Sequence, residues 1–130
     1  GQDDLDLDDV RRVAPSLAIG VSTHHLAQFE RVLALRPSYV AFGPIYATTS
    51  KQDGDPVMGI EALAVAGERA HAEGVPLVAI GGIDVERASS VSHHADLGAV
   101  IGALLPAPGE PLDRVTARAR ELHRRLGGEG

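Results

Sequence analysis

Residues 39–51 read YVAFGPIYATTSK, which is an apolar run, a Gly-Pro turn, and then three hydroxyls and one lysine in a row. The apolar run does not alternate with polar residues, a pattern typical of a strand buried on both faces of a parallel sheet. Short hydroxyl donors and an ammonium gathered where a strand ends suit an oxyanion such as phosphate. A solvated Thr/Ser loop without special chemistry is the alternative interpretation of residues 48–51 taken alone.

Similar apolar runs recur along the chain, and each is followed by a segment with helical spacing. The other three runs are residues 17–21, 77–80 and 99–101. Helices are predicted over residues 7–14, 26–35, 60–73 (with Gly74 as a C-terminal cap), 85–92 and 112–126. Strands separated by helices favour right-handed βαβ units and an α/β fold with a parallel sheet.

Two architectures fit this order: a small doubly wound sheet, or a segment of a (β/α)8 barrel. A complete barrel takes about 250 residues, and this chain has 130. Four strand–helix units would therefore make half a barrel, in a single domain that spans residues 1–130 and ends in a frayed tail at residues 127–130.

Composition limits the class of protein. Hydrophobic residues make up 44% and charged residues 23%, which is typical of a globular domain. The net charge of −6 argues against a nucleic-acid or anionic-membrane surface, and the absence of cysteine excludes disulfides and thiolate chemistry. No apolar run approaches the roughly 20 residues of a membrane span, and the acidic start is not a signal peptide, so we expect a cytoplasmic protein.

The residues after the first strand have both functional and structural interpretations. Ser22 lies at the predicted strand tip, where its hydroxyl either contacts a ligand or caps a helix, and Thr23 or His24 is expected to cap the helix that follows. Adjacent side chains such as His24 and His25 diverge, so a solvated loop is favoured over a metal-binding pair.

Glycines follow the last two strands. Gly81-Gly82 and, one helix later, Gly102 let the backbone approach a ligand closely. Barrels often bind phosphate between the loops after their last two strands, so the Gly81-Gly82 pair and Gly102 together indicate a phosphate-binding site. At the other end of the chain, Asp4 in the Gly-Gln-Asp-Asp start is either solvated or a carboxylate ligand for a hard cation such as Mg²⁺.

Four motifs in this order resemble the thiamine-phosphate synthase family: GQDD (1–4), GVSTH (20–24), GPIYATTSK (43–51) and AIGGI (79–83). The resemblance extends from Gly1 to about Leu105. It implies a (β/α)8 barrel that uses Mg²⁺ to join a pyrimidine diphosphate to a thiazole phosphate. The products are thiamine phosphate and pyrophosphate.

The resemblance also implies roles for single residues. Asp4 matches a Mg²⁺ ligand, Ser22 a contact to the pyrimidine diphosphate, and Lys51 a diphosphate-binding lysine, so that Ser22 and Lys51 are the catalytic candidates. The positions that match the thiazole-phosphate site are Thr48, Thr49, Ser50, Gly82, Ile101 and Gly102.

Two departures from the family shape the hypothesis. Gly102 stands where the family often has Ser, which removes one hydroxyl. The resemblance also implies that a first half-barrel, with most of the diphosphate site and a second Mg²⁺ carboxylate, precedes Gly1. We therefore expect a C-terminal half-barrel that is inactive alone and that pairs with the missing half or self-associates. The alternatives are a thiazole tautomerase, with His24 in the place of its catalytic histidine, and a non-catalytic phosphate-binding fragment.

Overall fold

The computed structural model describes residues 18–47 and 56–127, together with Asp9, Arg12, Val13 and Ser16. Strands and helices alternate along these residues. The strands are β1 (Gly20–Thr23), β2 (Tyr39–Phe42), β3 (Leu77–Ile80) and β4 (Leu97–Ala99). The helices are α1 (Leu26–Ala34), α2 (Gly59–Glu73), α3 (Val85–Ser92) and α4 (Leu112–Arg125), with a 3-10 turn, Gly102–Leu104, between β4 and α4.

The four strands form one parallel sheet in the order β1-β2-β3-β4. Val40 pairs with Val21 on one side and with Leu77 on the other, and Val78 pairs with Leu97. The predicted α/β fold with a parallel sheet is therefore confirmed. In the described part of the chain the strand order never reverses, as it would in a doubly wound sheet.

The helices cover one face of this sheet. Because side chains alternate along a strand, Val40 and Phe42 point to the same face, and the cross-strand neighbours Leu77 and Ala79 point there with them. All four are at most 1% exposed and belong to one core with apolar residues of α1, α2, α3 and α4. Phe29 of α1 packs edge-on against Phe42, with 5.4 Å between the ring centroids.

The opposite face of the sheet is open. Tyr39 is 43% exposed, Ile80 38% and Leu97 61%, while the small Ala41 is buried. Ile101, after β4, is also 61% exposed. The expectation that both faces are buried is thus wrong for the described residues. The strands are apolar on both faces, but the described helices cover only one of them.

Most predicted boundaries are close to those observed. The helix predicted over residues 60–73 starts one residue earlier, at Gly59, and Gly74 ends it in the left-handed conformation, with φ of 70°. The helix predicted over residues 85–92 has those bounds. Asp9, Arg12 and Val13 are helical, as the prediction for residues 7–14 requires, and the rest of that segment lies outside the described residues.

The two edge strands differ from prediction because strand pairing decides their ends. β2 begins at Tyr39, which pairs with Gly20, so β1 begins at Gly20. Ile19, directly before it, accepts a hydrogen bond from the Ser38 backbone N–H and donates one to the Ser38 hydroxyl instead of joining the ladder. β3 ends at Ile80, which pairs with Ala99, so β4 ends at Ala99 and Ile101 instead precedes the 3-10 turn.

Of the helices that the structure describes, none combines the length and the apolar character needed to cross a membrane. The predicted frayed tail lies outside the described residues except for Gly127.

Candidate functional site

A cavity of about 420 Å³ lies at the carboxyl ends of the strands. All four strand ends or the loops after them contribute to its walls, because the strands are parallel and end at the same edge of the sheet. The walls are mostly apolar, with a few hydroxyl, imidazole and carboxylate groups. The lining residues are Ser22, Thr23, His24, Gly43, Pro44, Ala47, Ile80, Gly81, Gly82, Ile83, Asp84, Ala99, Ile101, Gly102 and Ala103.

The end of β1 contributes Ser22 and His24. Ser22 is exposed on the open face and lines the cavity. Thr23 is buried instead, and its hydroxyl donates a hydrogen bond of 2.8 Å to the Ala41 carbonyl oxygen. His24 is not in a solvated loop, because it lines the cavity with its Nδ1 3.2 Å from the Gly43 carbonyl oxygen.

The cap of α1 is His25, and the expectation of Thr23 or His24 in that place is wrong. The His25 ring accepts a hydrogen bond from the Gln28 backbone N–H, while the Gln28 side chain accepts one from the His24 backbone N–H. This reciprocal pair resembles a capping box. A histidine is not among the preferred capping residues, so sequence rules favoured its neighbour.

The loops after β2 and β3 are joined backbone to backbone. The N–H of Ile45 donates to the Ile80 carbonyl oxygen, and the N–H of Tyr46 donates to that of Gly81, each at 3.0 Å. Because of these hydrogen bonds, the loop after β2 lies along the cavity wall up to Ala47. Residues 48–55 lie outside the described residues.

Glycine is required at the two positions where these loops touch. Gly81 has φ of 106°, and a Cβ there would lie 2.5 Å from the Pro44 Cα. Gly82 has φ of 66°, and a Cβ there would lie 2.5 Å from the Ala47 carbonyl oxygen. Both the positive φ and the close contact exclude a side chain. Glycine at these two positions therefore leaves room for the loop after β2 to pack against the turn after β3, in addition to the room that a ligand would need.

The loop after β4 is held by a charged pair that the sequence analysis did not identify. Arg118 of α4 donates to the Ala103 carbonyl oxygen, and its guanidinium makes two hydrogen bonds, of 2.9 and 3.0 Å, to the Glu110 carboxylate. These bonds, with one from the Ala107 backbone N–H, lower the pKa of Glu110 to about 2. Glu110 precedes the start of α4 at Leu112, so helical spacing does not signal its pairing with Arg118.

Asp84 and Arg87 were also missed, although Asp84 had a recognisable signal. Asp84 caps α3, accepting a hydrogen bond of 3.0 Å from the Arg87 backbone N–H, and it lines the cavity. An aspartate directly before a predicted helix start is a standard capping pattern. Arg87 follows in the first turn and reaches back to the Gly82 carbonyl oxygen.

The predicted site residues fall into two groups. Ser22, Gly82, Ile101 and Gly102 all line the cavity, so the structure brings together residues that are up to 80 positions apart in sequence. The predicted Mg²⁺ ligand Asp4 and the predicted phosphate-binding residues Thr48, Thr49, Ser50 and Lys51 lie outside the described residues. Within the described ranges, no three His, Asp or Glu side chains come together as a metal site would require.

The fold and the cavity define an α/β protein with a ligand-sized pocket at the carboxyl ends of parallel strands. The family model described as thiamine monophosphate synthase matches residues 1–104. This match covers most of the chain, and the chain therefore belongs to the thiamine monophosphate synthase family.

Individual relatives agree with the family match. The chain is 41% identical over 92 residues to the thiamine-phosphate synthase of Neisseria meningitidis serogroup A, an alignment that covers 70% of this chain and 44% of that protein. It is 38% identical over 125 residues to the synthase of Roseiflexus sp., with 95% of this chain and 50% of that protein covered. The chain spans about half the length of the curated relatives it matches.

A solved structure has the same fold. The thiamine phosphate pyrophosphorylase from Pyrococcus furiosus superposes with a TM-score of 0.75 at 26% sequence identity. The superposition covers 98% of this chain and 59% of that one.

Proposed function

We propose that this chain provides the thiazole-phosphate side of a thiamine-phosphate synthase. One observation carries the proposal: the cavity brings together Ser22, Gly82, Ile101 and Gly102, the described positions that match the family's substrate contacts. Ala47 lines the same cavity, directly before the hydroxyl run at residues 48–50.

The cavity suits a small ring that carries a phosphate. Its apolar walls, among them Ile80, Ile83 and Ile101, would pack against a thiazole ring. The backbone N–H groups of Gly82 and Gly102, with the hydroxyls of residues 48–50, would donate to the phosphate oxygens. In this family role Ser22 and Lys51 would contact the pyrimidine diphosphate.

The reaction proposed for the whole protein needs no protein nucleophile. The bond between the pyrimidine methylene carbon and the diphosphate oxygen breaks, and the electron pair leaves with pyrophosphate. The thiazole nitrogen then donates its lone pair to the pyrimidine cation and forms the new C–N bond. Lys51 would stabilise the negative charge that develops on the leaving group.

The proposed metal depends on residues outside the described ones. Mg²⁺ would neutralise a diphosphate when bound, and Asp4 is its one proposed ligand in this chain. The residues that the structure describes do not supply a set of ligands for it. The bond-breaking and bond-forming steps given above therefore involve only the two substrates and Lys51.

We further propose that the fold is the second half of a (β/α)8 barrel. The helices cover one face of the parallel sheet, the other face is open and apolar, and the chain aligns with about half of each relative. A first half-barrel would cover that face and supply most of the diphosphate site. Without it, self-association of the open face is the expected behaviour. A cytoplasmic location also stays a prediction.

The tautomerase alternative is not favoured, because the family model and the relatives described above carry the synthase name. Phosphate binding without catalysis remains the behaviour that we expect of the chain alone, because most of the diphosphate site would lie in the missing half.

Calorimetry with thiazole phosphate tests the binding part of the proposal. We expect saturable binding to the chain that is lost in Gly82→Asp, because a carboxylate at Gly82 would collide with the Ala47 backbone and repel phosphate. Gly109→Asp, on an exposed loop outside the cavity, is the matched control and should bind normally. Absence of heat with the unmodified chain would contradict the proposal.

A chimera tests the catalytic part. The part of the Roseiflexus synthase that precedes its alignment with this chain, fused before Gly1, should give thiamine phosphate formation that Lys51→Ala abolishes. The unfused chain should form none. Turnover by the unfused chain, or none by a folded chimera that binds thiazole phosphate, would contradict the half-barrel proposal.

A further inference from the structure

One arginine on α3 contacts two of the loops that line the cavity. Arg87 Nη1 donates a hydrogen bond of 2.9 Å to the Gly82 carbonyl oxygen, in the loop after β3. The same guanidinium lies over the ring of Tyr46, in the loop after β2, with 4.5 Å between Arg87 Cζ and the ring centroid. At that distance a cation is attracted to the face of an aromatic ring. Arg87 therefore bridges the two loops from outside the cavity lining.

The bond to Gly82 fixes the orientation of a peptide group at the cavity wall. The peptide between Gly82 and Ile83 is trans, so its C=O and N–H groups point in opposite directions. Because Arg87 binds the carbonyl oxygen, the N–H of Ile83 points to the side away from Arg87. A carbonyl oxygen repels phosphate and an N–H attracts it, so this orientation matters to an anionic ligand.

The position of Arg87 is itself well defined. Its backbone N–H donates to the Asp84 carboxylate, which fixes the first turn of α3 beneath the loop. The Asp84 carboxylate lies 3.9 Å from the guanidinium, beyond hydrogen-bond distance. Among the described residues, the guanidinium thus contacts the Gly82 carbonyl oxygen and the Tyr46 ring, and forms a longer ion pair with Asp84.

We propose that Arg87 is a positioning residue for the phosphate side of the cavity. It acts through Gly82 and Tyr46, by holding the described part of the β2 loop, residues 43–47, against the glycine turn after β3. The inference rests on the proposed function for the identity of the ligand, but the bridge between the loops is independent of that function.

Hydrogen–deuterium exchange tests the bridge without any ligand. The Tyr46 amide is bonded to the Gly81 carbonyl oxygen, so its exchange reports whether the loops stay together. In Arg87→Met we expect this amide to exchange about tenfold faster, the effect of losing one charged hydrogen bond. Arg124→Met is the matched control, since Arg124 pairs with Glu121 on α4, away from the cavity. Unchanged exchange in Arg87→Met would overturn the proposal.

Titration with thiazole phosphate tests the consequence for binding. Arg87→Met should weaken binding about tenfold, Arg87→Lys should restore part of it, and Tyr46→Phe, which keeps the ring, should bind like the unmodified chain. Affinity for the unphosphorylated thiazole alcohol should change little, whereas a general loss of structure would lower both affinities. Equal loss for both ligands, or no loss for either, would overturn the proposal.

The two measurements separate this inference from the proposed function. If the unmodified chain binds no thiazole phosphate, the proposed function fails and the exchange rates alone decide whether Arg87 joins the loops. If Arg87→Met does not fold, Arg87→Lys and Tyr46→Leu take its place in both experiments. Wild-type exchange at the Tyr46 amide in both of these variants would then overturn the inference.

Discussion

The two faces of the sheet have similar sequences and opposite surroundings. On the covered face, Phe42 and Leu77 are at most 1% exposed beneath the helices. On the open face, Leu97 is 61% exposed and Tyr39 43%. Apolar side chains alternate between the two faces, so hydrophobicity by itself does not decide which face is buried.

The composition of the strands fits a sheet with both faces covered, while the described residues cover one face. A parallel strand that is apolar throughout is typical of sheets buried on both sides. The exposed apolar face is explained if further structure covers it in the whole protein, as the half-barrel proposal requires. Substitutions on each face test this difference directly.

The largest expected effect is on the covered face. Phe42→Ala should lower the free energy of unfolding by about 3–5 kcal/mol, because it leaves a cavity in the core against Phe29. The matched aromatic control on the open face, Tyr39→Ala, should cost about 1 kcal/mol or less. Urea titration followed by circular dichroism measures both. Equal losses would mean that the open face is packed in solution.

A smaller effect is expected at the rim where the cavity begins. Gly81→Ala should cost about 2–3 kcal/mol, because it combines a positive φ with a clash against the Pro44 backbone. Gly109 also has a positive φ, but an added Cβ there meets no atom within 4 Å, so Gly109→Ala should cost only about 1 kcal/mol. In thermal denaturation, Gly109→Ala measures the effect of backbone strain alone, and Gly81→Ala measures strain together with the steric clash. A smaller loss in Gly81→Ala than in Gly109→Ala would contradict the observed contact.

The charged pair behind the β4 loop should give a pH dependence. The pKa of Glu110 is lowered from 4.5 to about 2, so the folded state favours its ionised form. The stabilisation is complete above about pH 4.5 and is lost as the pH falls towards 2. Urea midpoints between pH 6 and pH 2 should therefore converge for the unmodified chain and Glu110→Gln. The exposed control Glu68→Gln should follow the unmodified chain, and parallel profiles for Glu110→Gln would refute the assignment.

The smallest change in stability is expected on the open face. Leu97→Gln should change the free energy of unfolding by no more than about 0.5 kcal/mol. It should nevertheless reduce self-association, because it removes part of the exposed apolar surface. Multi-angle light scattering of the chain and of Leu97→Gln checks this. A monodisperse monomer for the unmodified chain would show that the open face does not drive association.

Much of the fold could be predicted from sequence because its signals are local. Gly74 ends α2 through a left-handed backbone conformation that glycine adopts without cost. Pro37, which disfavours the right-handed helical conformation for the residue before it, follows the end of α1. The edge strands were predicted less well, because their ends depend on where β2 begins and β3 ends.

Some features of the candidate site could likewise be predicted from sequence, and others could not. That Ser22, Gly82 and Gly102 share one cavity followed from the rule that parallel strands end at a common edge. That His25 caps α1, and that Glu110 binds Arg118, did not follow from any local pattern. The His25 cap is local, but it uses a residue type that capping rules do not favour. The Glu110–Arg118 pair depends on how the β4 loop packs against α4.

The sequence alone determined the alternation of strands and helices, the family, and the edge of the sheet at which the described candidate site residues gather. These follow from short-range periodicity, from turn chemistry and from the order of the motifs. Tertiary structure alone decided which face of the sheet is open, that the paired glycines admit a neighbouring loop, and that Arg87 bridges two loops. Those features depend on side chains meeting across the fold, and the spacing of residues along the chain does not encode such meetings.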